Sequence, residues 1–190
     1  MEMNDVLKAI FERRTVRDFK PAQIKDEELS MIIEAGHQAP SAWNRQPWYF
    51  TVVQKQSLLD RIADAAKGAL QKDSPDTAKA MPWLVGPGFH YFYHAPTVIF
   101  VSGQPSNPDA PGDCAIATMN MVYAAQSLGV HSCVVTIAIP AFKTDAGPGF
   151  FKDMEIPDGY EPMYAIVLGY PSKPIPPAAP RKEDYVNFIT

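Results

Sequence analysis

Along the first third of the chain, apolar side chains recur at helical spacing. Met3, Val6, Leu7, Ile10 and Phe11 lie three and four residues apart, with Asn4 or Asp5 placed to cap, and predict an amphipathic helix over 4–13. A second helix begins at Asp26, with Glu27 and Glu28 in its first turn and Leu29, Ile32 and Ile33 on one face. It should stop near Gly36, ahead of Pro40. The spacing then changes. WYFTVV, Trp48 to Val53, is aromatic and β-branched and reads as a strand. Ser57 with Asp60 resembles an acidic capping box ahead of a third helical stripe, Leu58, Leu59, Ile62, Ala66 and Leu70. TVIFV, Thr97 to Val101, is a continuous apolar run suited to a strand covered on both faces. From Asp113 to Leu128 the chain is apolar nearly all round, and Gly129 supplies the stop. Such a helix is either central or buried between subunits. A strand from His131 to Ile139, a short helix near 148–154 and a last strand from Met163 to Gly169 complete the pattern.

Two stretches fall outside it. Residues 72–94 carry Pro75, Pro82, Gly86, Pro87 and Gly88, so they predict a long connection. Its aromatics Trp83, Phe89, Tyr91 and Phe92 have two readings, a lid over a site or simple core packing. Residues 171–180 hold five prolines in ten positions, which predicts a stiff extended arm over 171–190 rather than core. A length of 190 residues fits one domain, 1–190, and the element order lacks the βαβ repeat of a doubly wound sheet.

Charge narrows the field. Seventeen basic against 21 acidic side chains leave a net charge of −4, which argues against a general grip on nucleic acid or anionic lipid. Cys114 and Cys133 are too few for a disulfide framework and, among apolar neighbours, read as buried free thiols. The N-terminal residues lack the basic-then-apolar order of a signal peptide, and no apolar stretch approaches a membrane span. The expectation is a cytoplasmic protein without a membrane role. Neither G-x-G-x-x-G after a strand nor a Walker loop occurs. His37, His90, His94 and His131 form no metal-spaced set with the cysteines. His90 and His94 are four apart but lack an acidic third ligand, so no metal is expected.

Three clusters could carry chemistry. In ERRTVRDFKP, Arg13, Arg14, Thr15 and Arg17 place three guanidiniums and a hydroxyl within five residues. A guanidinium is a flat fork of donors that matches two phosphate oxygens and stays charged. The plain alternative is a set of cations completing a helix C-terminus. In APSAWNRQPW, Pro40 and Pro47 fix the backbone while Ser41, Asn44 and Gln46 alternate with hydrophobes. That is either a turn into a strand or a row of polar groups for a flat heteroaromatic. After the proline arm, Arg181 and Lys182 read first as solvated tail charge.

Taken together and in order, these segments resemble the FMN-dependent nitroreductase family. RRTVRDF after a first short helix is similar to its N-terminal phosphate and ribityl motif, and APSAWNRQPW to its proline-serine-x-x-asparagine-x-glutamine-proline-tryptophan segment. LGVHSCVV and YEPMYAIVLGYPSKP are similar to its closing strand pair and glycine-tyrosine-proline turn. The resemblance spans residues 4–185, with 72–94 and 140–155 matching no motif. It implies an α+β fold with a mixed, mainly antiparallel central sheet flanked by helices, and a swapped C-terminal extension in a homodimer. It further implies that Arg13, Arg14 and Thr15 hold the FMN phosphate and ribityl chain, with Arg17 near the N1–C2=O edge of the flavin. Arg181 or Lys182 would close over the phosphate. Pro40, Ser41, Ala42, Asn44 and Gln46 would come from the other subunit, and the backbone around Thr136 and Ile137 would meet flavin N5 and O4. Two departures stand out: Ala42 replaces a frequent serine, and VVTIAIP lacks a frequent glycine.

The implied activity is transfer of two electrons from NADH or NADPH to a nitroaromatic, quinone or free flavin, in ping-pong order, with no residue acting as nucleophile. An FMN phosphate needs cationic partners in an acidic protein, and a guanidinium near N1–C2=O favours the charge that reduction places there. Rivals within the resemblance are dehalogenation, flavin fragmentation and ring dehydrogenation. A rival from another class is a flavin-binding protein without turnover.

Overall fold

The computed structural model describes residues 3–189. The strands are β1 (Trp48–Val53), β2 (Thr97–Gly103), β3 (His131–Val135) and β4 (Glu161–Gly169). They form one sheet in the order β1-β2-β4-β3, and every neighbouring pair is antiparallel. A parallel element enters only as an isolated bridge between Thr15 and Ser132. The helices are α1 (Asp5–Glu12), α2 (Asp26–His37), α3 (Gln56–Asp73), α4 (Pro75–Ala80), α5 (Ala110–Ser127) and α6 (Gly147–Asp153).

The continuous apolar run of β2 is explained by what covers it. Val98 and Phe100 point into a core built with α3, α6, Tyr91, Phe92 and Phe142. Ile99 and Val101, one residue out of phase, point into a second core with Ile32 of α2 and Met121 of α5. All seven residues of β2 are buried. Each fully buried Val, Ile or Phe contributes about 1.5–3 kcal/mol relative to exposure, so this strand pins both layers. Gly36 lets α2 lie close on α5, because a Cβ there would sit 2.7 Å from Cγ of Met121. Gly129 stops α5 at φ +74°, as its sequence position predicts. Pro162 is tolerated inside β4 because it faces the bulge between Val101 and Ser102, at a level that β3 does not reach.

Several boundaries differ from the sequence pattern, each for a local reason. Ser57 lies inside the first turn of α3, Lys55 precedes the helix, and Asp60 accepts from Gln56 Nε2 at 3.1 Å, so no Ser57–Asp60 capping box forms. The α5 helix begins at Ala110, ahead of Asp113, because Pro111 occupies a first-turn position where its missing N–H has no cost. β3 ends at Val135, and a 3-10 turn follows at Ile139–Lys143. Within 72–94, α4 and a 3-10 turn at Pro82–Leu84 interrupt the connection. Of its aromatics, Tyr91 and Phe92 are fully buried, whereas Trp83 is 57% exposed. The amphipathic α1 forms with Asn4 as cap, its Oδ1 accepting from Leu7 N–H at 3.0 Å. No residue of α1 is buried, and Val6 and Phe11 face outward.

Candidate functional site

The arginine-rich segment is laid against the free edge of β3. Val16 N–H donates to Ser132 O at 3.0 Å, and Lys20 N–H donates to Tyr170 O at 2.8 Å. Phe19 bridges Pro171, and Lys173 Nζ bonds Asp18 Oδ1 at 2.7 Å. The segment therefore follows the sheet edge and the root of the C-terminal arm. Between them lies a groove of about 330 Å³ lined by Thr15, Val16, Arg17, Asp18 and residues 173–176.

The three arginines do different things. Arg14 turns back onto α1, its Nη1 donating to Phe11 O at 2.7 Å and Arg13 O at 2.8 Å. In this chain it completes the helix C-terminus, which is the plain alternative weighed for the cluster. Arg13 and Thr15 are half-buried beside it. Arg17 donates from Nε to Tyr93 Oη at 3.2 Å, with its guanidinium 5.7 Å from the centre of that ring. Burial opposes the charge of Arg17, but Tyr93 and Cys133 outweigh it and hold the guanidinium more firmly protonated. Burial in turn pushes up Tyr93 and Cys133, so both stay neutral under ordinary conditions. Thr136, exposed, and Ile137, half-buried, follow the end of β3, and the Thr136 carbonyl accepts from Ile139 N–H at 3.0 Å. Arg181 and Lys182 are exposed on the arm and do not line the groove.

The second cluster sits elsewhere. Pro40, Asn44 and Gln46 are exposed, Ser41 and Ala42 half-buried. Residues 42–44 make a 3-10 turn in which Trp43 and Asn44 adopt φ of 55° and 52°, followed by Gln46 at 47°. Three non-glycine residues in the left-handed region within four positions store strain. The turn is held by Gln46 N–H to Ser41 Oγ at 2.9 Å and Gln46 Nε2 to Asn44 Oδ1 at 3.0 Å. Ala42 N–H donates to Asp113 Oδ1 at 3.1 Å.

The pairing register measures how far apart the two clusters are. Thr15, Ser132, Leu168 and Thr97 share one row, whereas Trp48, Gly103 and Glu161 form a row at the other end. Three strand spacings separate the β3 edge from the β1 edge, about 14 Å, and the rows lie about 20 Å apart along the strands. One chain thus keeps Arg13–Arg17 and Ser41–Gln46 in different places.

The fold also adds residues that the pattern did not single out. Tyr93, at φ 53°, braces Arg17 and packs on Phe89, which in turn meets Trp83 edge-on at 4.9 Å. Its only sequence signal was a place in an aromatic run. Asp113 was visible as the lone acid at the head of an apolar helix, but its partner is distant in sequence. Asp60 supplies the acidic neighbour that His90 and His94 lacked, with Oδ1 3.1 Å from His90 Nε2. Phe92 N–H donates to His90 Nδ1 at 3.2 Å, which leaves the ring proton on Nε2, facing Asp60. His90 is thus hydrogen-bonded at both ring nitrogens, and His94 stacks on it with ring centres 4.3 Å apart.

Comparison with known proteins places this architecture. The model of the nitroreductase family matches residues 10–170, and the chain belongs to that family. A Methanothermobacter thermautotrophicus protein, named as a candidate NADH dehydrogenase/NAD(P)H nitroreductase, is 32% identical over 174 residues, covering 89% of this chain and 78% of that one. The crystal structure of a Bacteroides fragilis nitroreductase with bound FMN superposes with a TM-score of 0.89 at 28% identity, covering 99% of this chain and 100% of the other. An iodotyrosine deiodinase of Thermotoga neapolitana is 25% identical over 189 residues, 94% of each chain.

Proposed function

We propose that the protein is a cytoplasmic, homodimeric FMN-dependent NAD(P)H oxidoreductase of the nitroreductase type, built as a single domain over 1–190. The observation that carries the reading is the β3 edge. There Arg13, Thr15 and Arg17 run beside the strand whose end bears Thr136 and Ile137, in a fold shared with an FMN-bound nitroreductase. These residue types fit the group: cations for a phosphate, a hydroxyl for the ribityl chain, a fixed guanidinium for the N1–C2=O edge. Arg14, committed to capping α1, takes the lesser part.

When bound, FMN supplies two-electron transfer at N5. The chain's own residues bind and orient it. Arg13 and Thr15 would hold the phosphate and ribityl chain, with Arg181 or Lys182 closing over the phosphate. Arg17, braced by Tyr93, would offset negative charge at the N1–C2=O edge of a bound flavin. Backbone groups of 136–137 would meet N5 and O4. The reduced nicotinamide and the acceptor, a nitroaromatic, quinone or free flavin, use the same space in turn, so ping-pong kinetics are expected.

The separation of the two clusters supports a site shared between subunits, with Pro40, Ser41, Ala42, Asn44 and Gln46 reaching in from the partner. Further support comes from surfaces that one chain leaves open. These are the apolar side of α1, Ile116 and Met119 on α5, the outer edge of β1, and an arm ending in exposed Tyr185, Val186, Phe188 and Ile189. Such an arm is suited to cross to the partner as a swapped extension. Cys114 and Cys133 are buried free thiols, which suits a reducing compartment, and among the described residues no helix is long and apolar enough to cross a membrane.

The test is the absorbance of the purified protein before and after anaerobic NADH or NADPH, followed by stopped-flow with a panel of oxidants. A yellow protein bleached on the turnover timescale is expected. A colourless preparation that takes up no FMN overturns the reading, and flavin left oxidised by both nucleotides makes it a binder. The Thermotoga relative favours one second reading, reductive dehalogenation. Turnover of iodotyrosine but not of nitroaromatics or quinones would establish it. A monomer that retains flavin removes the shared site.

A further inference from the structure

The 41–46 turn is strained and short, exposed over 43–46 and half-buried at Ser41 and Ala42. Its internal hydrogen bonds close the turn on itself: Asn44 N–H to Ser41 O at 3.0 Å, Arg45 N–H to Ala42 O at 3.1 Å, and the two made by Gln46. None of these fixes the turn to the body of the protein. Among the described residues, the hydrogen bond that does so is the one from Ala42 N–H to Asp113 Oδ1, across 71 positions of sequence. A rim contact, Arg45 to Asp109 at 4.0 Å, is open to solvent.

Asp113 is an expensive residue to keep where it is. It sits in the first turn of an almost wholly apolar helix and is 5% exposed. One carboxylate oxygen accepts from Ala42, and the other, Oδ2, is buried with no partner. A half-satisfied buried carboxylate costs stability, and asparagine or alanine would both avoid the charge. The neighbouring helix N-terminus lowers that cost but does not explain the direction of Oδ1. Burial, joined by the Asp113 charge, pushes the Cys114 thiol up to about 12, so the carboxylate's neighbour is an inert thiol and not a proton partner.

We infer that Asp113 is a positioning residue: its carboxylate anchors the Ala42 amide and thereby holds residues 41–46 in their left-handed, ligand-ready shape. The first half concerns the turn alone. The second, that this shape is needed to bind FMN, rests on the proposed function. The rigid head of α5 is a suitable post, since α5 packs on both α2 and the sheet. The anchor spares the turn from having to find three unfavourable φ values each time a ligand arrives.

The experiment uses the full chain with Asp113→Ala and Asp113→Asn, with folding checked by circular dichroism. Trypsin cleavage after Arg45, followed by mass spectrometry without FMN, reads the order of the turn. D113A should be cut about tenfold faster than wild type, and D113N, which keeps an acceptor of the same shape, within about threefold of it. FMN titration should follow the same order, with D113A about tenfold weaker. Equal cleavage of D113A and wild type overturns the anchor, as does D113N loosening as much as D113A. A loosened turn with unchanged FMN affinity supports the anchor and overturns the link to binding. If D113A does not fold, amide hydrogen exchange in the wild type decides. Ala42 N–H protected well above Trp43 N–H supports the anchor, and equal exchange overturns it.

Discussion

Residues 13–20 and residues 41–46 both offer cations or amides on a short segment outside the regular elements, but their supports are opposite. The first lies along a sheet edge: Thr15 bridges Ser132, Phe19 bridges Pro171, and Val16 and Lys20 donate to strand or post-strand carbonyls. Its backbone is ordinary and its strength is distributed. The second carries three left-handed residues, and among the described residues its hydrogen bond to the body is one amide on one buried carboxylate, with a solvent-open Arg45–Asp109 contact beside it. Distributed support tolerates the loss of any one side chain. Concentrated support makes a single residue decisive, and strain of about 1–3 kcal/mol per unusual conformer is then stored for use.

The largest expected effect comes from breaking the chemistry and not the support. Arg13→Ala should weaken FMN binding roughly 10–100-fold, the loss of a charge-assisted contact. Riboflavin, which lacks the phosphate, should lose much less in the same calorimetric titration, and equal losses refute the phosphate assignment. Next, Ser41→Ala removes the Oγ that accepts from Gln46 N–H. It should cost about fivefold in FMN affinity while barely moving the melting temperature, because the lost bond lies within the turn and not in the core. Trp43→Asn sharpens the contrast from the other side. Trp43 is 88% exposed and holds φ 55°, so asparagine loses no packing and suits the backbone better. Unfolding free energy should rise by about 0.5–1 kcal/mol, read by urea titration, whereas a fall shows that the indole is packed.

The smallest effect is a pH dependence behind the first region. Burial, assisted by the neighbouring His94 charge and opposed by Asp60, holds His90 below its ordinary 6.5, and burial does the same to His131. Both are depressed bases, so the unfolded chain takes up protons first as pH falls. Stability should therefore be flat above about 6.5 and decline below it, toward the lowered folded values. His90→Gln should flatten part of that decline in melting temperature between pH 7 and 5. An unchanged slope assigns it elsewhere.

How much was legible follows from the range of each force. Helices α1, α2 and α3, strands β1 and β2 and the Gly129 stop are local patterns, and they stand within a few residues of where the spacing puts them. The end of β3 was overrun because VVTIAIP stays apolar after the strand, and only the fold shows Ala138, Ala141 and Phe142 turning into the core as a 3-10 turn. Tyr91 and Phe92 as core, with Trp83 outside, was likewise undecidable in a run where every aromatic looks alike.

By itself the sequence determined the sheet-and-helix alphabet, the two polar segments proposed to hold the flavin and the family to which the chain belongs, because these depend on neighbours a few residues away. Arg14 closing the end of α1 is a local matter, settled within three residues, but the tertiary structure alone decided that Arg17 is braced by Tyr93. It also brought Asp60 to His90 and Asp113 to Ala42. Those pairings depend on how strands register and helices pack across dozens of residues, and neither spacing nor composition encodes a distance in space.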